Sequence, residues 1–225
     1  MKLRTLELGV CLLCTAGAAS AQLANPGFES PVVPVGNFTT FAVGSAGLTG
    51  WNVVGPVGTS VATVSTTYSQ SGVTFQSQSG SQWMDLTGAS SNSSAGVSQA
   101  VATTAGHRYE LTFFVGNTTG GSVFGTTSTV NVAVNGVQSF AAVNSIANAT
   151  ALSWQQFTYD FVATGASTLL AFSNGDPGDD NSNGLDSIAL ADLGPVAAPV
   201  PEPETYALML AGLTIVGWAA RRRKT

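Results

Sequence analysis

The chain has 225 residues and a net charge of −5, with 8% charged residues against 44% hydrophobic ones. Between residues 22 and 199 Arg108 is the only Lys or Arg, facing Glu29, Asp85, Glu110, Asp160, Asp176, Asp179, Asp180, Asp186 and Asp192; one cation against nine acids leaves −8. Nucleic-acid binding needs clustered cations, so no nucleic-acid partner is expected, and ion pairing with an anionic polysaccharide is disfavoured for the same reason.

In chain order, Lys2 and Arg4 precede an apolar run over residues 8–18, and Ala19-Ser20-Ala21 is a small-x-small cleavage site. Residues 1–21 therefore read as a signal peptide, with a mature start at Gln22. Cys11 and Cys14 both fall inside it. The exported part then has no disulfide, thiolate metal site or cysteine nucleophile.

Residues 22–192 read as one β-rich domain. Its Ser, Thr, Gly, Asn and Val content favours strands and tight turns over helices. Strands are predicted at 60–67, 81–86 and 96–103. Tyr109, Leu111, Phe113 and Val115 alternate with period two, as do Val130, Val132 and Val134. Asn135-Gly136 is a primed hairpin turn, with 137–140 returning. Phe157, Tyr159 and Phe161 share a face, 168–172 is a central apolar strand, and Leu185, Ile188 and Leu190 close the domain. About eight to ten short strands without a helix pack naturally as an antiparallel β-sandwich. The Ser- and Asn-rich stretch 88–95 reads as a surface loop, and 193–199 as a linker.

The tail, 200–225, has three parts. Val200-Pro201-Glu202-Pro203 is short, rigid and acidic. Residues 206–220 form an apolar run of 15, and Arg221, Arg222, Arg223 and Lys224 follow. As a helix the run is roughly 22 Å long, short against a bilayer core of about 30 Å. Trp218 and the cations suit one transmembrane helix with a cytoplasmic basic end.

These tail residues, with Leu208 to Leu213 between them, resemble the PEP-CTERM sorting signal of exported bacterial proteins. The resemblance implies an exosortase-like membrane protease as partner, a Gram-negative host that makes exopolysaccharide, and delivery to the envelope, cell surface or matrix after contact with the membrane through the helix. The body resembles a second family. Asn25-Pro26-Gly27-Phe28-Glu29, Gly50-Trp51, Gly80-Ser81-Gln82-Trp83-Met84-Asp85-Leu86, Gly96-Val97-Ser98-Gln99, Trp154 and Leu185-Asp186-Ser187-Ile188 look, in that order, like the DUF642 and choice-of-anchor type of galactose-binding-like jelly roll. Fold does not carry function with it.

Candidate sites are few. His107 is the only histidine, so a Ser-His-Asp triad would have to use it; without a Gly-x-Ser-x-Gly elbow it reads as a turn residue, and the chain reads as not an enzyme. Asp176, Asp179 and Asp180 form the densest acidic cluster, an oxygen-rich loop of the kind calcium takes, but without EF-hand spacing. The jelly-roll resemblance implies instead a structural calcium between first and last strands, on Glu29 and Asp186. A sugar platform needs an exposed aromatic ring. Trp51 and Trp154 read as buried, leaving Trp83, with Gln82 and Asp85 beside it, and Tyr68, Gln70 and Phe75 on a loop or concave face. The function expected is an exported, non-catalytic surface or matrix protein associated with exopolysaccharide. The alternatives are a lectin with defined glycan specificity and a glycoside hydrolase, which needs paired carboxylates in a cleft.

Overall fold

The computed structural model describes residues 23–89, 92–120, 124–178, 180–197 and 203–222. The signal peptide, Asp179, Val200, Pro201, Glu202, Arg223 and Lys224 lie outside them.

Thirteen strands are found among the described residues: β1 (Phe38–Ala42), β2 (Asn52–Val54), β3 (Ser60–Ser65), β4 (Ser69–Gln70), β5 (Val73–Thr74), β6 (Gln82–Asp85), β7 (Gly96–Ala102), β8 (His107–Asn117), β9 (Ser128–Val134), β10 (Val137–Asn144), β11 (Ser153–Val162), β12 (Ser167–Asn174) and β13 (Gly184–Pro195). A six-stranded sheet runs β1-β3-β6-β13-β8-β11 and a five-stranded sheet β10-β9-β12-β7-β2, with β4-β5 a separate hairpin. All pairings between these strands are antiparallel. The fold is the expected all-β sandwich. β12 lies at the centre of its sheet, as its apolar run predicts. Asn135 and Gly136 have φ of 51° and 80° and join β9 to β10. Positive φ at both residues matches the right-handed strand twist.

The alternating residues of β8 set the core. Tyr109, Leu111, Phe113 and Val115 are buried and meet Val130, Val132, Leu170 and Phe172 of the other sheet. Phe172 sits edge-on to Phe113 at 5.3 Å and to Trp51 at 6.1 Å. Each such ring contributes roughly 1.5–3 kcal/mol by leaving water.

The Asn-Pro-Gly-Phe-Glu segment is a wedge tied to both sheets. The Trp51 indole donates to the Asn25 carbonyl (3.0 Å), and the Ile188 amide to that of Pro26 (3.0 Å). Two buried glutamines clamp either end of it. Gln99 accepts from the Ala24 amide and donates to the Ala24 and Gly50 carbonyls. Gln82 accepts from the Val33 amide and donates to the Phe28 and Pro31 carbonyls. Buried main-chain groups must find partners, and here side chains supply them where no ladder does.

Two boundaries differ from the sequence reading. β13 continues to Pro195, where it pairs with His107, three residues past the expected domain end at Asp192. The C-terminal helix, Pro203–Arg222, starts earlier than residue 206. Proline is tolerated at a first helical position because its missing N–H has no acceptor there anyway. Among the described residues no helix is long and apolar enough to cross a membrane. The expected transmembrane span is therefore not shown by this helix. Its 15 uncharged residues, several of them Gly, Ala or Thr, fall short of the ~20 a bilayer core requires.

Candidate functional site

β3 and β6 are buried on both faces. Val61 and Met84 enter the main core, while Ala62, Val64 and Trp83 point to the outer face. There they meet a second apolar cluster with Val73, Phe75, Phe124 and Leu152, flanked by Tyr68 and Trp154. The β4-β5 hairpin roofs this face. Trp83 Nε1 donates to the Phe75 carbonyl and Trp154 Nε1 to that of Gln76, both at 2.9 Å. Phe75 stacks on Trp83 at 6.2 Å and meets Phe124 edge-on at 5.4 Å.

The roof is incomplete. A pocket of about 460 Å³ opens between it and the sheet. Its apolar wall is Phe38, Val64, Tyr68, Phe75, Trp83 and Phe124; its polar wall is Gln70, Asp85, Asn92, Asp180 and Ser182. Tyr68 stands edge-on to Phe38 at 5.4 Å and donates to Gln70 Oε1 at 2.9 Å. The sequence grouped Tyr68, Gln70, Phe75 and Trp83, and the fold brings them together. Trp83 is no platform, however. It is only 1% exposed, because the hairpin covers it. The accessible rings are Phe38, at 42% exposure, and the half-buried Tyr68. Trp154 is half-buried, not fully buried as expected, and covers Gly116 and Gly184.

The pocket is anionic. Burial pushes the Asp85 carboxyl up to about 6. The Thr87 and Gly88 amides oppose the shift and Asp180 adds to it. Partial burial also raises Asp180, at the rim, and burial followed by the charge of Asp85 raises Tyr68. The sequence offered Asp85 only as a polar neighbour of Trp83, and Asp180 only as part of an acidic loop.

The metal candidates separate into different places, and among the described residues no three of His, Cys, Asp and Glu converge as ligands. Asp176 accepts from the Thr129 amide (2.5 Å) and hydroxyl (3.0 Å) and fastens β9. Glu29 and Asp186 do come together, on either side of Gly27. Glu29 accepts from the Ser81 amide and hydroxyl at 3.0 and 2.6 Å. Asp186 accepts from the amides of Gln78 (3.0 Å), Ser79 (3.2 Å) and Ser187 (2.6 Å). Burial pushes Asp186 up to about 7, the three amides oppose this, and the neighbouring Glu29 charge adds to it. Two adjacent carboxylates with no balancing cation among the described residues suit a hard divalent ion in donor chemistry and charge. His107 Nδ1 bonds Asp192 at 2.9 Å, and the Tyr109 hydroxyl donates to the same carboxylate at 3.0 Å. That clasp joins β8 to β13, so the histidine serves the strand start.

The geometry defines a jelly-roll sandwich with a roofed outer pocket. Residues 21–191 match the family described as "Protein of unknown function (DUF642)", and the chain belongs to that family. Residues 199–224 match the PEP-CTERM protein-sorting motif, which marks an exported protein processed by an exosortase. No curated protein matches the chain. Among solved structures, the Stig cyclase FisC from Fischerella sp. TAU is similar at 15% identity and a TM-score of 0.52, over 80% of this chain and all of that one. The CBM22-1 xylan-binding domain from Paenibacillus barcinonensis Xyn10C has 16% identity and a TM-score of 0.41, over 73% and 99%. A family 35 carbohydrate-binding module from an environmental isolate has 18% identity and a TM-score of 0.39, over 54% and 82%. Identities this low speak to the fold alone.

Proposed function

We propose that this protein is a non-catalytic component of the cell surface or extracellular matrix, and that its sandwich associates with exopolysaccharide through the pocket under the β4-β5 hairpin. The observation that carries this reading is the pocket's composition. Tyr68 and Phe38 offer ring surface for a sugar, and Gln70, Asn92, Asp85 and Asp180 offer hydrogen-bonding groups beside it. Concave sites with apolar walls and a few placed polar groups are the usual form of ligand sites. A glycan array probed with the protein tests it. We expect at least one glycan to bind, and Tyr68→Ala to weaken that binding about tenfold or more while the melting temperature holds within a few degrees. A silent array would leave a purely structural matrix role. Turnover of a bound glycan that disappears in Asp85→Asn would instead make the pocket a hydrolase site.

The sorting motif carries its own prediction. Replacing Pro201, Glu202 and Pro203 with Ala removes the motif that a processing enzyme would read. Unprocessed precursor is then expected to accumulate in the envelope, seen as a band heavier than the wild-type product on an immunoblot. An unchanged band pattern would disconnect the motif from processing.

For Glu29 and Asp186 the reading is a structural calcium that links the N-terminal wedge to β13. It rests on the charge pairing around Gly27 and on the jelly-roll resemblance.

A further inference from the structure

Among the described residues the two pocket carboxylates have no basic partner. Arg108 is the only Lys or Arg between residues 22 and 199, and it faces Asp160 at 3.9 Å. Asp85 pairs through Gly184 to Gly116 of β8, and Arg108 lies eight residues further along that strand. That is roughly 26 Å away at strand rise. His107 is taken by Asp192. Asp85 accepts from the Thr87 amide at 2.9 Å and also from the Gly88 amide and the Thr87 hydroxyl, none of them charged, and no described residue donates to the Asp180 side chain. Tyr68 and Phe38 line the same pocket, and aromatic faces attract a cation as carboxylates do.

From this we infer that the ligand of the pocket is a glycan carrying free amino groups, a de-N-acetylated hexosamine polymer, whose ammonium sits between Asp85 and Asp180 while a sugar ring lies against Tyr68. The inference rests on the glycan-site reading above and deepens it by naming the substrate class. Charge complementarity selects the ligand. An acidic sugar would be repelled, and a neutral one would offer the carboxylates hydroxyl hydrogen bonds but no opposite charge. An N-acetylated residue presents an amide with no charge for them to meet. The body's −8 adds a weaker, salt-screened attraction for any polycation, so the local pair must be separated from the general field.

Calorimetric titration of the full chain with glucosamine tetramer and with N-acetylglucosamine tetramer, at equal length and moderate salt, makes that separation. The expected result is at least tenfold tighter binding of the glucosamine tetramer. Asp85→Asn and Asp180→Asn should each reduce the preference, and together abolish it. Glu110→Gln, a charge change on β8 outside the pocket, should leave it intact. Asp180 lies at the rim, so its variant keeps the test meaningful should Asp85→Asn fold poorly. Equal binding of both tetramers, lost in Tyr68→Ala, would overturn the amino-sugar inference and keep the glycan site. A preference that survives the double variant, or falls equally with Glu110→Gln, would assign it to the general field and overturn the inference. Binding that requires calcium and stops with chelator would give the carboxylates to a metal and overturn it as well. Binding of neither tetramer would sink the amino-sugar inference, and silence toward every other glycan would sink the pocket reading with it.

Discussion

Gln82→Ala is expected to destabilise the protein by about 4 kcal/mol, since each buried group left unpaired costs roughly 1–3 kcal/mol. Gln82 is 1% exposed and holds three main-chain groups of the wedge and the residues just after it, the Phe28 and Pro31 carbonyls and the Val33 amide. None of them lies in a β-ladder, so no neighbour can replace the lost amide. The vacated volume adds a cavity term. For a domain of this size the melting temperature should fall by roughly 10 °C, at about 2–4 °C per kcal/mol. Gln82→Glu separates hydrogen bonding from volume. It still accepts from Val33, but it sets a second acceptor against two carbonyls, so it should destabilise although nearly isosteric. Denaturant titration of both variants decides the matter. A loss under 1 kcal/mol in each would mean that burial of Phe28 alone fixes the wedge.

The contrast between Gln82 and Tyr109 shows what the amino-acid sequence makes legible. Tyr109, Leu111, Phe113 and Val115 announce their face by alternation, because a strand with one buried face and one mixed face writes a period-two pattern. β3 and β6 are buried on both faces, so Gln82, Trp83 and Met84 are all inside and the pattern vanishes. Trp83 could be placed on the outer face, opposite Met84. That the hairpin would then cover it depends on long-range bonds from Trp83 and Trp154 to carbonyls 75 and 76, which leave no local trace. β1, β2 and the β4-β5 hairpin went unpredicted for a related reason: they are two to five residues long, too short for periodicity to register. Tyr68 and Asp85 are 17 positions apart, and only the roof brings them to one pocket. The Asn-Pro-Gly-Phe-Glu motif was visible as letters. Its role as a wedge needed Gln82, Gln99 and Trp51 in three dimensions.

The wedge also sets the second large effect, at Asp186. Its folded carboxyl titrates at about 7, against an ordinary value of 3.8, so the folded state binds the proton more tightly than the unfolded chain. Stability from this group is therefore complete below the unfolded value and is lost as pH rises through about 7. Three pKa units correspond to on the order of 4 kcal/mol. Asp85, raised to about 6, acts in the same direction over a narrower window. Asp192, which the Gly194 amide, His107 and Tyr109 hold below its ordinary value, acts only in more acidic solution. In chelator the melting temperature should thus climb as pH falls from about 8 to about 5. Calcium should reverse that slope. A divalent ion between Glu29 and Asp186 favours both charged forms, raises the melting temperature most at pH 8, and is displaced by protons near pH 5. Asp186→Asn should flatten the pH dependence in chelator and remove the calcium effect. A slope that persists unchanged in that variant would place the titration elsewhere. An unaltered melting temperature with calcium at pH 8 would leave Glu29 and Asp186 as clamps for residues 78–82 and no more, held together by backbone amides against their own repulsion.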